Sequence, residues 1–226
     1  MKLVFATDNS LDRVLEKDSE KIFSADVLVF GFNGLGLVSY KKELAGETDY
    51  FHDVSRLSAE LKGVVICGCD TDSYGYFHHS AVIADSGKIL GVSDEVHQSA
   101  DSEFSPGGSF RVYDTSAGKI GIIVGDDLYF PEVPRVLSLC DADIIICIQK
   151  KVESFIPQIM LRAGAFSNGV TMALVAKNYA CVSDIKGNVS VMGKSDIVIK
   201  DVKKEKDYRL VSLRRRGIYK EFGSGY

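Results

Sequence analysis

The chain contains 226 residues, of which 46% are hydrophobic and 26% are charged, and its formal net charge at pH 7 is −4. This composition is typical of a globular protein with a substantial core and excludes a disordered chain. The mild negative charge gives no electrostatic reason to expect a nucleic-acid partner. No apolar run approaches the roughly 20 residues that a membrane-spanning helix needs. We therefore expect one folded domain over residues 1–226.

The cysteines and the first residues bear on the cellular compartment. Five cysteines, an odd number, are scattered without the spacing of a disulfide framework, which favours a reducing environment. The apolar run at residues 1–6 is too short for the core of a secretory signal and is typical of a buried strand. We expect a cytoplasmic protein.

The first half of the chain alternates short apolar runs with helical patterns. The predicted strands are residues 3–6, 25–30 and 64–67, followed by a hairpin of residues 79–84 and 89–92. The first predicted helix has Asn9 or Ser10 as its N-cap and an apolar face of Leu11, Val14, Leu15 and Ile22. A second helix is predicted over residues 50–61, and the glycine-rich residues 31–36 are predicted to form a loop.

The second half of the chain continues in the same style. The predicted strands are residues 110–113, 119–124, 143–148, 171–176, 189–192, 197–200 and 208–213. Helices are predicted after Pro131 and over residues 155–166, where Pro157 suits a first turn. Mixed helices and strands of this kind predict an α/β domain in which helices cover sheets.

One stretch, residues 119–132, combines a buried strand, a sharp turn and the start of a helix. The strand ends at Gly125, two acids follow, and Phe130, Pro131 and Glu132 open a helical pattern. Sites for chemistry tend to lie where such a strand gives way to a helix, because backbone N–H groups are unpaired there. Gly125, however, offers no nucleophilic side chain at this corner.

The motif around this corner resembles that of the carbon–nitrogen hydrolase family of nitrilases and amidases. The family pattern Gly-x-x-x-Cys-x-Asp-x-x-Phe-Pro-Glu corresponds here to Gly121, Gly125, Asp127, Phe130, Pro131 and Glu132. Further matches follow in the family's order at residues 79–91, 104–107, 141–145, 162–168, 178 and 193–195. The resemblance implies a four-layer α-β-β-α sandwich of two packed sheets that pairs face to face as a homodimer. It gives no reason to expect a cofactor or a metal.

All three positions of the family's Glu–Lys–Cys triad hold other residues here. The resemblance places Phe32 at the glutamate, Glu95 at the lysine and Gly125 at the cysteine. A glycine cannot form a covalent thioester, and an acid in place of the lysine reverses the charge that stabilises an oxyanion. The scaffold residues around each position are kept, so the resemblance implies a scaffold without the family's chemistry.

Acidic and histidine side chains near the corner offer other chemistry. Glu95 and His97 form an acid–base pair if their stretch is extended, although a surface or scaffold role is the plain alternative. Asp126, Asp127 and Glu132 are oxygen ligands of the type that divalent metals prefer, but an acid at a helix start also stabilises the helix by itself. We expect no metal site there.

Thiols and basic residues have plain structural alternatives as well. Cys147 lies in an isoleucine-rich strand, where a small core residue is more typical than a displaced nucleophile. Cys67 and Cys69 lack the second pair of ligands that a zinc site needs. The basic run at residues 214–216 is interpreted as a solvated face or a dimer contact.

Three hypotheses about function remain open. The first, favoured by the triple loss, is an inactive binding or regulatory scaffold whose partner is a small molecule or a protein. The second is a hydrolase that acts on non-peptide C–N bonds of a small amide or nitrile through a rebuilt site. The third is a structural protein whose pocket is filled and whose surface forms an oligomer interface. The candidate pocket residues are Phe32, Glu95, His97, Gly125, Asp126 and Cys147.

Overall fold

The computed structural model describes residues 1–8, 10–11, 13, 19–32, 34–193, 196–207 and 209–213. Several positions used in the sequence predictions lie outside these residues, namely Asn9, Val14, Leu15, Ser195 and the basic run at residues 214–216.

Two β-sheets account for the strands of the described residues. The strands are β1 (Lys2–Ala6), β2 (Val27–Phe30), β3 (Gly36–Ser39), β4 (Val64–Ser73), β5 (Tyr76–Asp85), β6 (Lys88–Asp94), β7 (Val112–Thr115), β8 (Gly118–Val124), β9 (Ile144–Ile148), β10 (Thr171–Ala176), β11 (Tyr179–Ser183), β12 (Val189–Gly193) and β13 (Ile197–Asp201). One sheet has the order β13-β1-β2-β4-β5-β6, with β3 paired to β4, and the other has the order β12-β11-β10-β9-β8-β7. At the centre of each sheet the strands are parallel, β1-β2-β4 in the first and β8-β9-β10 in the second.

Helices cover the outer face of each sheet. They are α1 (Ser19–Ile22), α2 (Tyr40–Ala45), α3 (Tyr50–Leu61), a 3-10 helix (Gly125–Tyr129), α4 (Glu132–Leu139), α5 (Ile156–Asn168) and α6 (Arg209–Ser212). Among the described helices, none combines the length and the apolar character that crossing a membrane requires.

The layers follow from the two-residue period of the strands, which sends alternate side chains to opposite faces. In β2, Val27 and Val29 join the core between the two sheets, whereas Leu28 and Phe30 pack under α3. In β9, Ile146 and Ile148 face the same central core, and Cys147 lies on the other face with α4 and α5. The result is the predicted α-β-β-α sandwich.

The most local patterns gave the most accurate element predictions. The helix over Tyr50–Leu61 and the strand over Thr171–Ala176 have the predicted bounds. The first hairpin is confirmed as well, because β5 and β6 are joined by Ser86 and Gly87, whose φ angles of 48° and 90° suit a two-residue turn.

Other elements differ from the predictions. The predicted strand at residues 208–213 is wrong, because Arg209–Ser212 is helical. The predicted loop at residues 31–36 ends one residue early, since Gly36 begins β3, which pairs with the far end of β4. Strand β11 was not predicted, and it turns back on β10 through Asn178, whose φ of 55° allows the tight turn.

Candidate functional site

A cavity of about 360 Å³ opens at the carboxyl ends of β2, β8 and β9. Its lining includes Phe32, His79, Glu95, Gln98, Gly125, Asp126, Tyr129, Gln149 and Lys150. The predicted candidates Phe32, Glu95, Gly125 and Asp126 therefore lie around one cavity, although they come from three separate segments of the chain. Ligand sites are common at the carboxyl ends of parallel strands.

The side chain of Glu95 is fixed against the corner that follows β8. Its carboxylate accepts hydrogen bonds from the backbone N–H of Asp126 and from the Gln98 side chain. Its backbone is held as well, because its N–H donates to the His79 carbonyl at 2.8 Å and its carbonyl accepts from Gly107 at 2.8 Å. Glu95 is therefore a buried, well-ordered wall of the cavity.

The environment of Glu95 favours its protonated form. Burial raises the pKa of the Glu95 carboxyl above its ordinary value, and the nearby carboxylates of Asp126 and Asp127 add to this effect. The hydrogen bond from Asp126 and the proximity of His79 lower the pKa without reversing the shift. A positive charge placed next to Glu95 would lower this pKa again and favour the ionised carboxylate.

His79 and Lys150, which also line the cavity, belong to a group of charges that sequence reasoning missed. Asp70 binds the Nδ1 atom of His79 at 2.6 Å and the Nζ atom of Lys150 at 3.1 Å. Burial alone would raise the pKa of the Asp70 carboxyl, but these hydrogen bonds bring it below its ordinary value. His79 stands where the family pattern has asparagine, which was the one signal in the sequence.

Aromatic rings surround the Lys150 ammonium group. Its Nζ atom lies 5.5 Å from the ring centre of Phe32 and 5.0 Å from that of Phe104. The ring of His79 lies against Phe104, with a centroid separation of 3.6 Å, and meets the edge of Phe32. Phe32, which the sequence resemblance places at the family's glutamate position, contributes a ring face to this group.

His97 lies outside the cavity, against the expectation that it joins Glu95 there. Its ring Nδ1 atom is 2.7 Å from the Asp127 carboxylate, and its ring stacks on Phe130 at 3.7 Å. Asp127 also accepts the backbone N–H groups of Val96 and His97, each at 2.9 Å. Asp127 is therefore a structural clamp that holds the segment after β6 onto the 3-10 helix.

Cys147 also lies outside the cavity. Its side chain is fully buried between the second sheet and the outer helices, since neighbouring residues of β9 alternate between faces. Burial raises the pKa of the Cys147 thiol well above its ordinary value, as does the neighbouring Cys181. This thiol is neither accessible nor ionised, so it suits a core role.

The remaining thiols and the acids of the corner offer no metal site. Cys67, Cys69 and Cys181 are buried and free, and Cys140 is free and exposed at the end of α4. No three His, Cys, Asp or Glu side chains within the described ranges lie close enough together to hold a metal ion.

Comparison with known proteins identifies the family and shows which solved structures share the fold. A family model described as carbon-nitrogen hydrolase matches residues 18–203. A probable nitrilase of Schizosaccharomyces pombe is 28% identical in an alignment of 176 positions that covers 73% of this chain. The chain spans 64% of that relative, less than two thirds of its length.

Solved structures share the architecture at low sequence identity. An amidase of Nesterenkonia AN1 aligns with a TM-score of 0.77 and 19% identity, over 96% of this chain and 95% of the amidase. A carbon-nitrogen hydrolase of Helicobacter pylori G27 aligns with a TM-score of 0.74 and 19% identity, over 96% of this chain and 92% of the hydrolase. With a family match that spans most of its length and the same two-sheet fold, the chain belongs to the carbon-nitrogen hydrolase family.

Proposed function

We propose that this chain does not carry out cysteine-dependent hydrolysis and instead serves as a scaffold that binds a small molecule in the cavity. One observation carries the proposal: the Glu95 carboxylate packs against Gly125, in the space where a nucleophilic side chain would begin. The residues at the three triad positions, Phe32, Glu95 and Gly125, are thus proposed to be parts of a binding wall.

A relative with an active-site cysteine differs from this chain in the chemistry available to its pocket. The Nesterenkonia amidase has been captured with the acetamide moiety of fluoroacetamide added covalently at its active-site cysteine. In this chain none of the five cysteines is among the residues that line the cavity. A covalent thioester in the cavity therefore has no thiol from which to form.

The cavity itself favours binding over a purely structural role. A space of about 360 Å³ remains open beside the blocked corner, with polar and aromatic side chains around it. The cavity lies at the carboxyl ends of parallel strands, which is a common place for ligand sites, and polar and aromatic side chains converge on it. We propose a small-molecule ligand in preference to a filled pocket.

The test is ammonia release from a panel of small amides and nitriles by the purified full chain, with the Nesterenkonia amidase as positive control. We expect no release above the buffer rate. Turnover that disappears in a Glu95→Gln variant would overturn the proposal in favour of a hydrolase with a rebuilt site. Turnover that survives in that variant would overturn it too, and would direct attention to the Asp70–His79 pair.

We also propose that residues 1–226 act as one domain and pair as a homodimer in the cytoplasm. Support for pairing comes from apolar side chains that the outer helices leave exposed, at Val136 and Leu139 on α4 and at Ile156, Ile159 and Phe166 on α5. Contiguous exposed apolar side chains mark interfaces. Support for the compartment comes from the cysteines, all of which are free.

A further inference from the structure

The lysines that line the cavity form ion pairs with acids, whereas two of the acids that line it do not form ion pairs with lysines or arginines in the described part of the chain. Both lysines of the lining have an acid of their own: Lys150 binds Asp70 at 3.1 Å, and Lys151 binds Glu153 at 2.8 Å. Glu95 and Asp126 line the same cavity, and neither has a lysine or arginine within ion-pair distance among the described residues, although His79 lies near Glu95. The cavity therefore contains two acids that no lysine or arginine of the described residues pairs with directly.

From this arrangement we infer that the cavity binds a small molecule that carries a protonated amine, with the ammonium group between Glu95 and Asp126. The inference rests on the proposed function as a binding scaffold and names the ligand class. An ammonium group supplies three donors, and a carboxylate offers several acceptor positions, so Glu95 can accept from the ligand while it keeps its bonds to Asp126 and Gln98.

Because Glu95 is buried and Asp126 is exposed, the Glu95 carboxylate should distinguish positively from negatively charged ligands more strongly than Asp126 does. Only 4% of Glu95 is exposed, and burial together with the acids nearby raises its pKa. A charge held in such surroundings interacts strongly with an opposite charge that enters the cavity. A bound ammonium group lowers the cost of ionising Glu95, whereas a bound carboxylate increases it.

The walls beside the two acids suit the organic part of such a ligand. Phe32 and Tyr129 line the cavity, and ring faces stabilise cations as well as apolar chains. The structure already contains one cation in this setting, the Lys150 ammonium group near Phe32 and Phe104. The cavity volume of about 360 Å³ is near the lower end of the roughly 300–1,000 Å³ of small-molecule sites, which suits a compact molecule.

Calorimetric titration of the full chain with three probes of equal length tests this inference: n-butylamine, 1-butanol and butyrate, at low ionic strength and pH 7.5. We expect n-butylamine to bind at least about tenfold more tightly than 1-butanol, because charged hydrogen bonds exceed neutral ones in strength. We expect butyrate to bind no better than 1-butanol.

Three variants test whether the ammonium group of the ligand binds between Glu95 and Asp126. Glu95→Gln should weaken n-butylamine about tenfold or more, and Asp126→Asn about threefold or more, since Asp126 is exposed to solvent. Asp114→Asn is the control, because it removes one exposed acid that does not line the cavity, and it should stay within about twofold. The exposed position of Asp126 makes its variant informative even if Glu95→Gln fails to fold.

The inference is overturned if no amine binds, if 1-butanol or butyrate binds as tightly as n-butylamine, or if both Glu95→Gln and Asp126→Asn keep full affinity. These outcomes are distinct from failure of the proposed function, which is measured by ammonia release. A chain without turnover that prefers an uncharged or anionic ligand would remain a binding scaffold of another class.

Discussion

The Glu95 carboxylate occupies the space in which a side chain at Gly125 would begin. A Cβ atom built on Gly125 would lie 2.5 Å from Cδ of Glu95 and 2.8 Å from its Oε2 atom, distances that real Cβ atoms do not adopt. Gly125 also has a φ of 56°, in the left-handed region that favours glycine. A side chain at position 125 therefore requires the Glu95 carboxylate to leave its present place, where it is hydrogen-bonded to Asp126 and Gln98.

A Gly125→Ala substitution should destabilise the chain by about 2–4 kcal/mol, because overpacking and left-handed strain add together. Urea denaturation measures the change in the free energy of unfolding. Gly108→Ala is the matched control, since no atom lies within 4 Å of the position that its new Cβ atom would take and its φ is not positive. We expect that control to be neutral or to stabilise by up to about 1 kcal/mol.

Coupling between positions 95 and 125 gives a second test of the same contact. In a Glu95→Ala background, Gly125→Ala should cost at least about 1 kcal/mol less than in the wild-type chain, because the colliding carboxylate is gone. Costs that simply add in the double variant would contradict the contact.

The contribution of Glu95 to stability should fall as pH rises. Its folded-state pKa lies above the ordinary value of 4.5, so between these two values the folded chain binds more protons than the unfolded chain. Stability that Glu95 provides is thus present below about pH 4.5 and is lost as pH rises through the folded-state pKa. Relative to wild type, Glu95→Gln should therefore gain in free energy of unfolding from pH 4.5 to 7.5.

Asp70→Asn is a control whose free energy of unfolding, relative to wild type, should change with pH in the opposite direction. The pKa of Asp70 is lowered in the folded chain, so its contribution is present above its ordinary value of 3.8 and is lost as pH falls through the folded-state pKa. This variant should lose most stability relative to wild type at neutral pH. A difference between Glu95→Gln and wild type that does not change with pH would show that burial does not shift Glu95.

Removal of the Asp127 clamp should destabilise the chain by about 2–4 kcal/mol. Asp127→Ala leaves two backbone N–H groups and the His97 ring without their acceptor. Denaturation measures the loss, and hydrogen exchange should accelerate at Val96 and His97. Asp114→Ala, at an exposed position of β7, should change stability by less than about 0.5 kcal/mol. Equal effects of the two variants would count against the clamp.

Charge placed on the outer helices should separate the proposed homodimer. Sedimentation of the wild-type chain should give a mass of two copies, and Ile159→Glu with Phe166→Glu should give one copy with unchanged folding, because both side chains are exposed. Leu44→Glu, which alters an exposed apolar residue of α2 on the other side of the sandwich, should remain dimeric. A wild-type chain with the mass of one copy would refute the pairing.

Most elements of the fold could be predicted from local sequence patterns. The helix over Tyr50–Leu61 was predicted with its bounds because its apolar residues recur at helical spacing, and Val54, Leu57 and Leu61 are indeed buried. The short strand β3 was missed because two of its four residues are exposed and, among the described strands, it pairs with the distant end of β4 alone. Its formation depends on tertiary pairing, which sequence periodicity does not report.

The candidate site was predictable where a motif of the resemblance marks a position, as at Phe32, Glu95 and Gly125, and not elsewhere. Gly125 and Asp126 follow directly from the corner, but Lys150 reaches Asp70 across 80 residues of sequence, and no local pattern links them. His97 was expected beside Glu95, yet the buried Asp127 carboxylate holds it elsewhere. Cys147 could have been assigned to the outer face, since Ile146 and Ile148 on either side of it face the central core.

The unequal exposure of the cysteines has a practical consequence. Thiol-directed electrophiles, of the kind that trap an active-site cysteine in amidases, will find Cys140 at the end of α4 as the accessible sulfur, because the other four thiols are buried. Adduct formation on this protein would thus report surface alkylation and would be silent about catalysis. For the same reason Cys140 provides a single attachment point for a fluorophore beside the exposed face of α4, where subunit pairing could be followed by energy transfer.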